Sequence, residues 1–180
     1  DLVRSRGLGD VYKRQVFIIV MIVMGLNQGM QPIAGYNFGA GQHARVIKTL
    51  KLTIIYATCV TTFGFIVGML FSDWVVSIFT SDAELIALSA KGLRIVVMFF
   101  PIIGFQMVTA NFFQSIGMAS KAIFLSLTRQ MMVLLPCLII LPRFFGVAGV
   151  WYSMPISDLL ASLIAGTMLV WQLRKFKAQA

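Results

Sequence analysis

The sequence predicts an all-α fold, a polytopic transmembrane helix bundle with about five membrane spans. Hydrophobic residues make up 59% of the 180 residues, charged residues only 12%, and the mean hydropathy is +0.90. A globular domain carries about 25% charged residues. The charges are also segregated, and the apolar runs between them reach about twenty residues, enough to cross about 30 Å of hydrocarbon as a helix.

The first two spans are expected over residues 16–36 and 48–71. The first is an apolar run that continues into a stretch rich in glycine and amides, and the second begins at the basic residues Lys48 and Lys51. Trp74 follows the second span, at a place where tryptophan commonly marks the membrane interface.

The other three spans are expected over residues 92–113, 122–141 and 146–173. Ser81 and Glu84 have the spacing of a capping box, which would open a helix that leads into the third span.

Prolines and tryptophans refine the expected shape of these three spans. Pro101 and Pro136 fall inside spans and Pro155 near the start of the fifth, which predicts the kinked or discontinuous helices that transporters use. Trp151 and Trp171 stand twenty residues apart and are expected near the two membrane interfaces.

Residues 25–42 combine breakers and amides at the end of an apolar run. The pairs Gly25/Gly29 and Gly35/Gly39 have the spacing that lets two membrane helices approach closely. From this stretch we take Asn27 and Gln28 as candidate ligands, and Gln31, Pro32, Tyr36, Asn37 and Gly39, together with Pro101 and Pro136, as structural motif residues.

Residues 1–15 are expected to be foreign to the native protein, so residues 16–180 would be a partial C-terminal transmembrane lobe whose upstream sequence is missing. Residues 5–15, SRGLGDVYKRQ, look like the translation of a transposase adapter used in sequencing libraries. Such segments are excluded from fold reasoning. We expect them to pack against nothing and to form a floppy tail; the alternative is a genuine basic tail.

The basic residues predict the orientation of the spans. One side is expected to carry eight of them: Arg45, Lys48, Lys51, Lys121, Arg129, Arg174, Lys175 and Lys177. The other side carries Lys91, Arg94 and Arg143. Because cytoplasmic connections are enriched in Lys and Arg, this bias places the C-terminus in the cytoplasm of a multi-pass protein of the cell (inner) membrane.

Asp158 is the one carboxylate well inside an expected span. On a helix it shares a face with small and polar residues, among them Ser162 and Ala165, whereas Leu159 and Leu163 lie on the other face. An ionisable residue at membrane depth is a functional candidate. The alternative is a helix cap or an interhelical hydrogen bond behind Pro155.

A second candidate surface lies on the third span. Gln106 and Thr109 share a face with Phe99, Phe113 and, at its edge, Gln114. Such a face could line a cavity for a flat cationic ligand through cation–π and amide contacts. The alternative is amide contact between helices.

Several other classes of function are disfavoured. The sequence has no metal-ligand spacing, no nucleophile motif and no phosphate-binding loop, so we expect no enzyme activity, no metal and no cofactor. A nucleic-acid partner is also not expected, because the basic residues form no stripe with interleaved aromatics. Cys59 and Cys137 are interpreted as free thiols, and His43 as a solvated loop residue.

Four segments, taken in order, resemble the multidrug and toxic compound extrusion (MATE) family of bacterial cation antiporters. Residues 31–40 match a QP-x3-(Y/F)-N-(Y/F)-G-A run, and residues 127–136 match L-x-R-x6-P. Residues 92–122 and 145–158 are similar to the family's tenth span with its following loop and to the start of its twelfth span.

The resemblance implies two six-helix lobes, of which this chain would hold spans eight to twelve. The N-terminal lobe and the seventh span would be missing partners. The family's C-lobe cation site uses an acidic residue in the tenth span, and residues 93–113 have none. The coupling ion, H+ or Na+, is therefore left open.

The expected function is that of a secondary active antiporter in the lipid bilayer, exporting small organic cations or drugs and driven by a proton or sodium gradient. The alternative is a flippase for a lipid-linked saccharide, which has a similar two-lobe build. A flippase cavity should be lined with Arg or Lys, and Arg129 is the sole intramembrane candidate.

Overall fold

The computed structural model describes residues 2–77 and 83–178, and these ranges form helices joined by short turns. The α-helices are α1 Leu2–Gly39, α2 His43–Leu70, α3 Ser72–Ser77, α4 Ala83–Val97, α5 Phe100–Ser115, α6 Ala119–Leu127, α7 Leu135–Phe145 and α8 Val147–Ala178, with a π-helix, Thr128–Leu134, between α6 and α7. No strand occurs in the described ranges, so the predicted all-α class is confirmed.

Five membrane spans are compatible with these helices. Four are single apolar helical stretches, and their bounds are Phe17–Gly39, His43–Leu70, Ala119–Phe144 and Tyr152–Lys177. The remaining span, the third along the chain, is the pair Ala90–Val97 and Phe100–Ser115, which are bent by 51° relative to each other. The predicted number of spans is confirmed when this bent pair is counted as one.

Pro101 explains the break in the third span. It lies within the first two residues of α5. Its ring would collide with the carbonyl group of Val97 in a continuous helix, and it has no N–H to donate to that carbonyl. The discontinuity expected at Pro101 is therefore present.

Pro136 has a different effect in the fourth span, which continues as one helical stretch over Ala119–Phe144. The chain widens into the π-helix over Thr128–Leu134, and the Leu135 N–H donates to the Gln130 carbonyl, five residues back. Because Pro136 cannot donate to residue 132, a wider turn accommodates the lost α-helical bond.

The N-terminal expectation is corrected in one respect. Helix α1 begins at Leu2, so the backbone of residues 2–15 is helical and continuous with the first span rather than a floppy tail. The side chains of residues 1–16 lie outside the described ones, as do Ser81, the Glu84 side chain and the Trp151 side chain. The capping box therefore stays a prediction.

Helix α5 lies at the centre and packs against α1, α2, α6 and α8. Its Val108, Phe112 and Phe113 are fully buried, in one cluster with Met30 and Leu50.

Helices approach each other closely at one of the four predicted glycines and at two glycines that were not predicted. A Cβ atom on Gly35 would lie 2.9 Å from the Ser115 carbonyl oxygen, and one on Gly104 would lie 2.7 Å from Thr61 Oγ1. A Cβ atom on Gly149 would come closer still, 2.5 Å from the carbonyl group of Leu141. By contrast, a Cβ on Gly25, Gly29 or Gly39 would meet nothing within 4 Å. The predicted close approach therefore holds at Gly35 alone among those four.

Candidate functional site

The candidate site is an ion pair between two spans. Arg129, the second residue of the π-helix, donates from Nε to Asp158 Oδ1 on α8 across 2.8 Å. The Asp158 side chain is 8% exposed, whereas that of Arg129 is 36% exposed.

The pair lies at membrane depth. Arg129 is about 15 Å from the Ala119 end of its span and about 22 Å from the Phe144 end, at 1.5 Å per residue. Charges at that depth are costly unless they are paired, so the contact explains how both are tolerated.

This position corrects the charge count made from the sequence. Arg129 was assigned to the connection after the third span, and it lies inside the fourth. The bias falls to seven against three, and its direction is unchanged.

Helix α8 turns Asp158 inward by its pattern of small residues. Ala161, Ser162 and Ala165 are buried beside it, whereas Leu163 is exposed. Asp158 lies well inside α8, which begins at Val147, so its carboxylate is not a helix cap. It makes a bond between helices instead.

A cavity of about 380 Å³ opens beside the pair. This volume is within the range of small-molecule sites. Its polar lining consists of Arg129, Ser157 and Asp158, and its apolar lining comes from α1, α4, α5, the fourth span and α8, namely Val20, Val96, Phe100, Ile103, Met107, Leu134 and Met154. The arrangement can hold an apolar molecule with a charge that faces the pair.

The three candidates on the third span are not brought to this cavity. Thr109 is fully buried and donates to the Phe105 carbonyl of its own helix across 2.8 Å. Gln106 is also buried, and its Oε1 has no hydrogen-bond partner among the described residues. Gln114 is exposed and borders a separate groove with Ala122 and Ser126.

Of the seven residues singled out in the glycine- and amide-rich stretch, three make hydrogen bonds to helical residues and four are exposed. Asn27 is buried and donates to the Val23 carbonyl, whereas Gln28 is exposed. Gln31 Nε2 donates to Asn111 Oδ1 of α5 across 3.2 Å. Asn37 donates to the Ile33 carbonyl across 2.8 Å. The other three residues, Pro32, Tyr36 and Gly39, are exposed along α1.

The interpretation of His43 as a solvated loop residue was wrong. It is the first residue of α2, and its ring stacks on Phe176 of α8, with centroids 5.0 Å apart and planes 15° apart. Phe38 lies against both rings. No local sequence pattern predicts this contact, because His43 and Phe176 are far apart in sequence.

The sequence interpretation named Arg129 only as a basic residue at membrane depth, in the flippase alternative, and did not propose it as the partner of Asp158. The available signal was a single arginine inside an apolar run, opposite a single intramembrane carboxylate. Its pairing depends on how the fourth span is rotated about its axis, and Arg129 lies in the π-helix of that span.

Comparison with known proteins gives consistent results. The MatE family profile matches residues 11–140. The multidrug export protein MepA of Staphylococcus haemolyticus is 26% identical over 159 residues, which cover 86% of this chain and 33% of that protein. MepA of Staphylococcus aureus is 28% identical over 158 residues, covering 86% and 34%. This chain thus spans about a third of the length of these curated relatives.

Solved structures agree on the architecture. The MATE multidrug transporter DinF-BH, in complex with R6G, superposes with a TM-score of 0.81 at 37% identity, over 87% of this chain and 35% of that one. The Vibrio cholerae MATE transporter VcmN in its bent form gives 0.86 at 18% identity, over 98% and 40%, which supports the fold alone.

Proposed function

Because this chain belongs to the MatE family of multidrug and toxic compound extrusion transporters, we propose that it forms part of a secondary active antiporter that exports small organic cations. A proton or sodium gradient would drive the export. The transporter would act as a multi-pass protein of the cell (inner) membrane.

One observation carries this proposal at the level of residues: a buried carboxylate inside a membrane span that borders a cavity. Asp158 supplies the negative charge that a cation needs. Phe100, Met107 and Met154 supply an aromatic and adaptable apolar wall, which suits flat apolar cations of varied shape.

We further propose that this chain corresponds to spans eight to twelve, with an N-terminal lobe and a seventh span elsewhere in the protein. The share of about a third that it covers in its curated relatives supports this. Rocking of two lobes about a central site would then alternate access to the two sides of the membrane.

The flippase alternative is less well supported. Anionic head groups need unpaired basic residues. The basic group on the described cavity wall, Arg129, is already neutralised by Asp158.

The test uses the complete transporter, cloned with its native upstream sequence and reconstituted in proteoliposomes. Uptake of R6G, the compound in the DinF-BH complex, is measured under an imposed proton gradient and separately under a sodium gradient. We expect one gradient to drive transport, and we expect Asp158→Asn to abolish it at normal protein level, because Asn cannot ionise.

Asp73→Asn is the matched control. Asp73 pairs with Arg94 across 2.9 Å at an exposed helix end, so this change should leave transport intact. Full transport by Asp158→Asn would remove Asp158 from the mechanism. No transport by the unmodified protein under either gradient would overturn the antiport proposal.

A further inference from the structure

Asp158 already has a cationic occupant, the side chain of Arg129. We propose that Arg129 is a tethered competitor: the transported cation must displace its guanidinium from Asp158 in order to bind. This inference rests on the proposed function and names how that site is regulated.

The geometry of the pair favours exchange. Arg129 contacts Asp158 through a single Nε–Oδ1 hydrogen bond. It does not form the bidentate pair of hydrogen bonds that makes arginine–carboxylate interactions strong. Asp158 is buried and held on α8, whereas the arginine side chain is more than a third exposed. Arg129 is therefore the partner that can leave.

The cavity beside the ion pair is where an entering cation could displace Arg129 from Asp158, and the charges there explain why it must do so. With the pair closed, its two opposite charges cancel, and an entering cation gains little from the site. When the cation takes the carboxylate, the total charge rises by one and Arg129 must turn toward water. The described helices leave more than a third of its side chain uncovered, so they do not block this movement.

The backbone under Arg129 is also the least regular part of its span. It belongs to the seven-residue π-helix, whereas Asp158 lies inside the long α-helix α8. Turns of the π type occur frequently at functional sites. The mobile charge thus stands on the irregular helix and the fixed charge on the regular one.

Exchange predicts selectivity for a class of cation. A ligand replaces a guanidinium best when its own charge is delocalised and weakly hydrated, since a strongly hydrated cation loses more on entering an apolar cavity. Organic cations with charge spread over rings meet this condition.

The experiment is a double-mutant cycle on the complete transporter in detergent, with R6G binding followed by fluorescence anisotropy in alkaline buffer, where protons compete less for the carboxylate. Arg129→Gln should bind R6G about tenfold more tightly, within the usual range of coupling between sites. Asp158→Asn should bind it more weakly. In the Asp158→Asn background, Arg129→Gln should change nothing.

Arg143→Gln is the matched control, because Arg143 is an exposed arginine in the same span as Arg129. It should bind R6G as the unmodified protein does. If Arg129→Gln melts like this control but binds R6G equally or more weakly, the competitor role is overturned.

Arg129→Lys keeps the proposal testable if the glutamine variant does not fold. Lysine is a compact, strongly hydrated charge and should hold Asp158 less well, so binding should again tighten; unchanged binding would overturn the proposal. An unmodified protein that binds R6G without gradient-driven transport would contradict the antiport proposal and leave the competitor test intact.

Discussion

Buried and half-buried polar side chains in this bundle make two kinds of hydrogen bond. Thr53, Thr61 and Thr109 donate to the carbonyl four residues back on their own helix, so they need no neighbour. Others join different helices, as Gln31 does with Asn111 and Arg129 with Asp158. The first kind only lowers the cost of burying a hydroxyl. The second kind fixes which helices lie side by side.

Gly35 offers a test of helix contact at the residue scale. Gly35→Ala would place a Cβ 2.9 Å from a backbone oxygen of α5, and a backbone atom cannot rotate away. We expect a loss of about 1–3 kcal/mol, the usual cost of overpacking, seen as a lower melting temperature in detergent. Gly29→Ala meets nothing within 4 Å and should melt no lower than the unmodified protein. Equal melting of the two variants would contradict the close contact.

The stack between His43 and Phe176 gives a second test. His43→Ala removes a ring that lies 5.0 Å from Phe176 and should destabilise the protein by about 0.5–1.5 kcal/mol beyond the lost area. His43→Phe keeps the ring and should restore most of the loss. Thermal melts of both variants, with exposed Arg45→Ala as control, decide the matter. Identical melts for His43→Ala and Arg45→Ala would indicate a ring that contributes nothing.

At the scale of elements, prolines show how far local sequence predicts structure. The break at Pro101 was predictable because the clash and the missing N–H are properties of proline itself. The outcome at Pro136 was not, since a membrane helix can absorb a proline by a kink or by a wider turn. The partner of Arg129 depends on that choice. The partner of His43 depends on how α2 and α8 meet, and no short pattern encodes this.

The π-helix leads to a prediction about hydrogen exchange. Pro136→Ala restores an N–H that can bond to residue 132, so the fourth span should revert toward a regular α-helix. Amides of residues 128–136 should then exchange more slowly, as measured by mass spectrometry in lipid nanodiscs. Pro142→Ala, in α7 of the same span, is the control and should leave these amides unchanged. Faster exchange in Pro136→Ala would indicate that the π-helix does not depend on the proline.

At the scale of the whole molecule, the contacts gather the basic residues at one end. Gly35 meets Ser115, and Lys121 of α6 donates to Gln172 of α8 across 2.6 Å. These contacts, with the stack of His43 on Phe176, place the end of α1, the start of α2, the end of α5, the start of α6 and the end of α8 together. Seven of the basic residues outside the adapter-like segment belong to this end: Arg45, Lys48, Lys51, Lys121, Arg174, Lys175 and Lys177.

The orientation of this end is the last prediction. Because cytoplasmic connections retain Lys and Arg, the end with seven basic residues should face the cytoplasm. Single cysteines at Arg45, Lys177 and Ala83, all exposed, would be introduced in the complete transporter lacking Cys59 and Cys137. An impermeant thiol reagent applied to intact cells should label position 83 alone, and positions 45 and 177 should react only after the cells are opened. Labelling of 45 and 177 in intact cells, with 83 protected, would reverse the orientation. It would also place the cavity beside Asp158 nearer the cytoplasmic side, because Asp158 lies closer to the start of α8 than to its end.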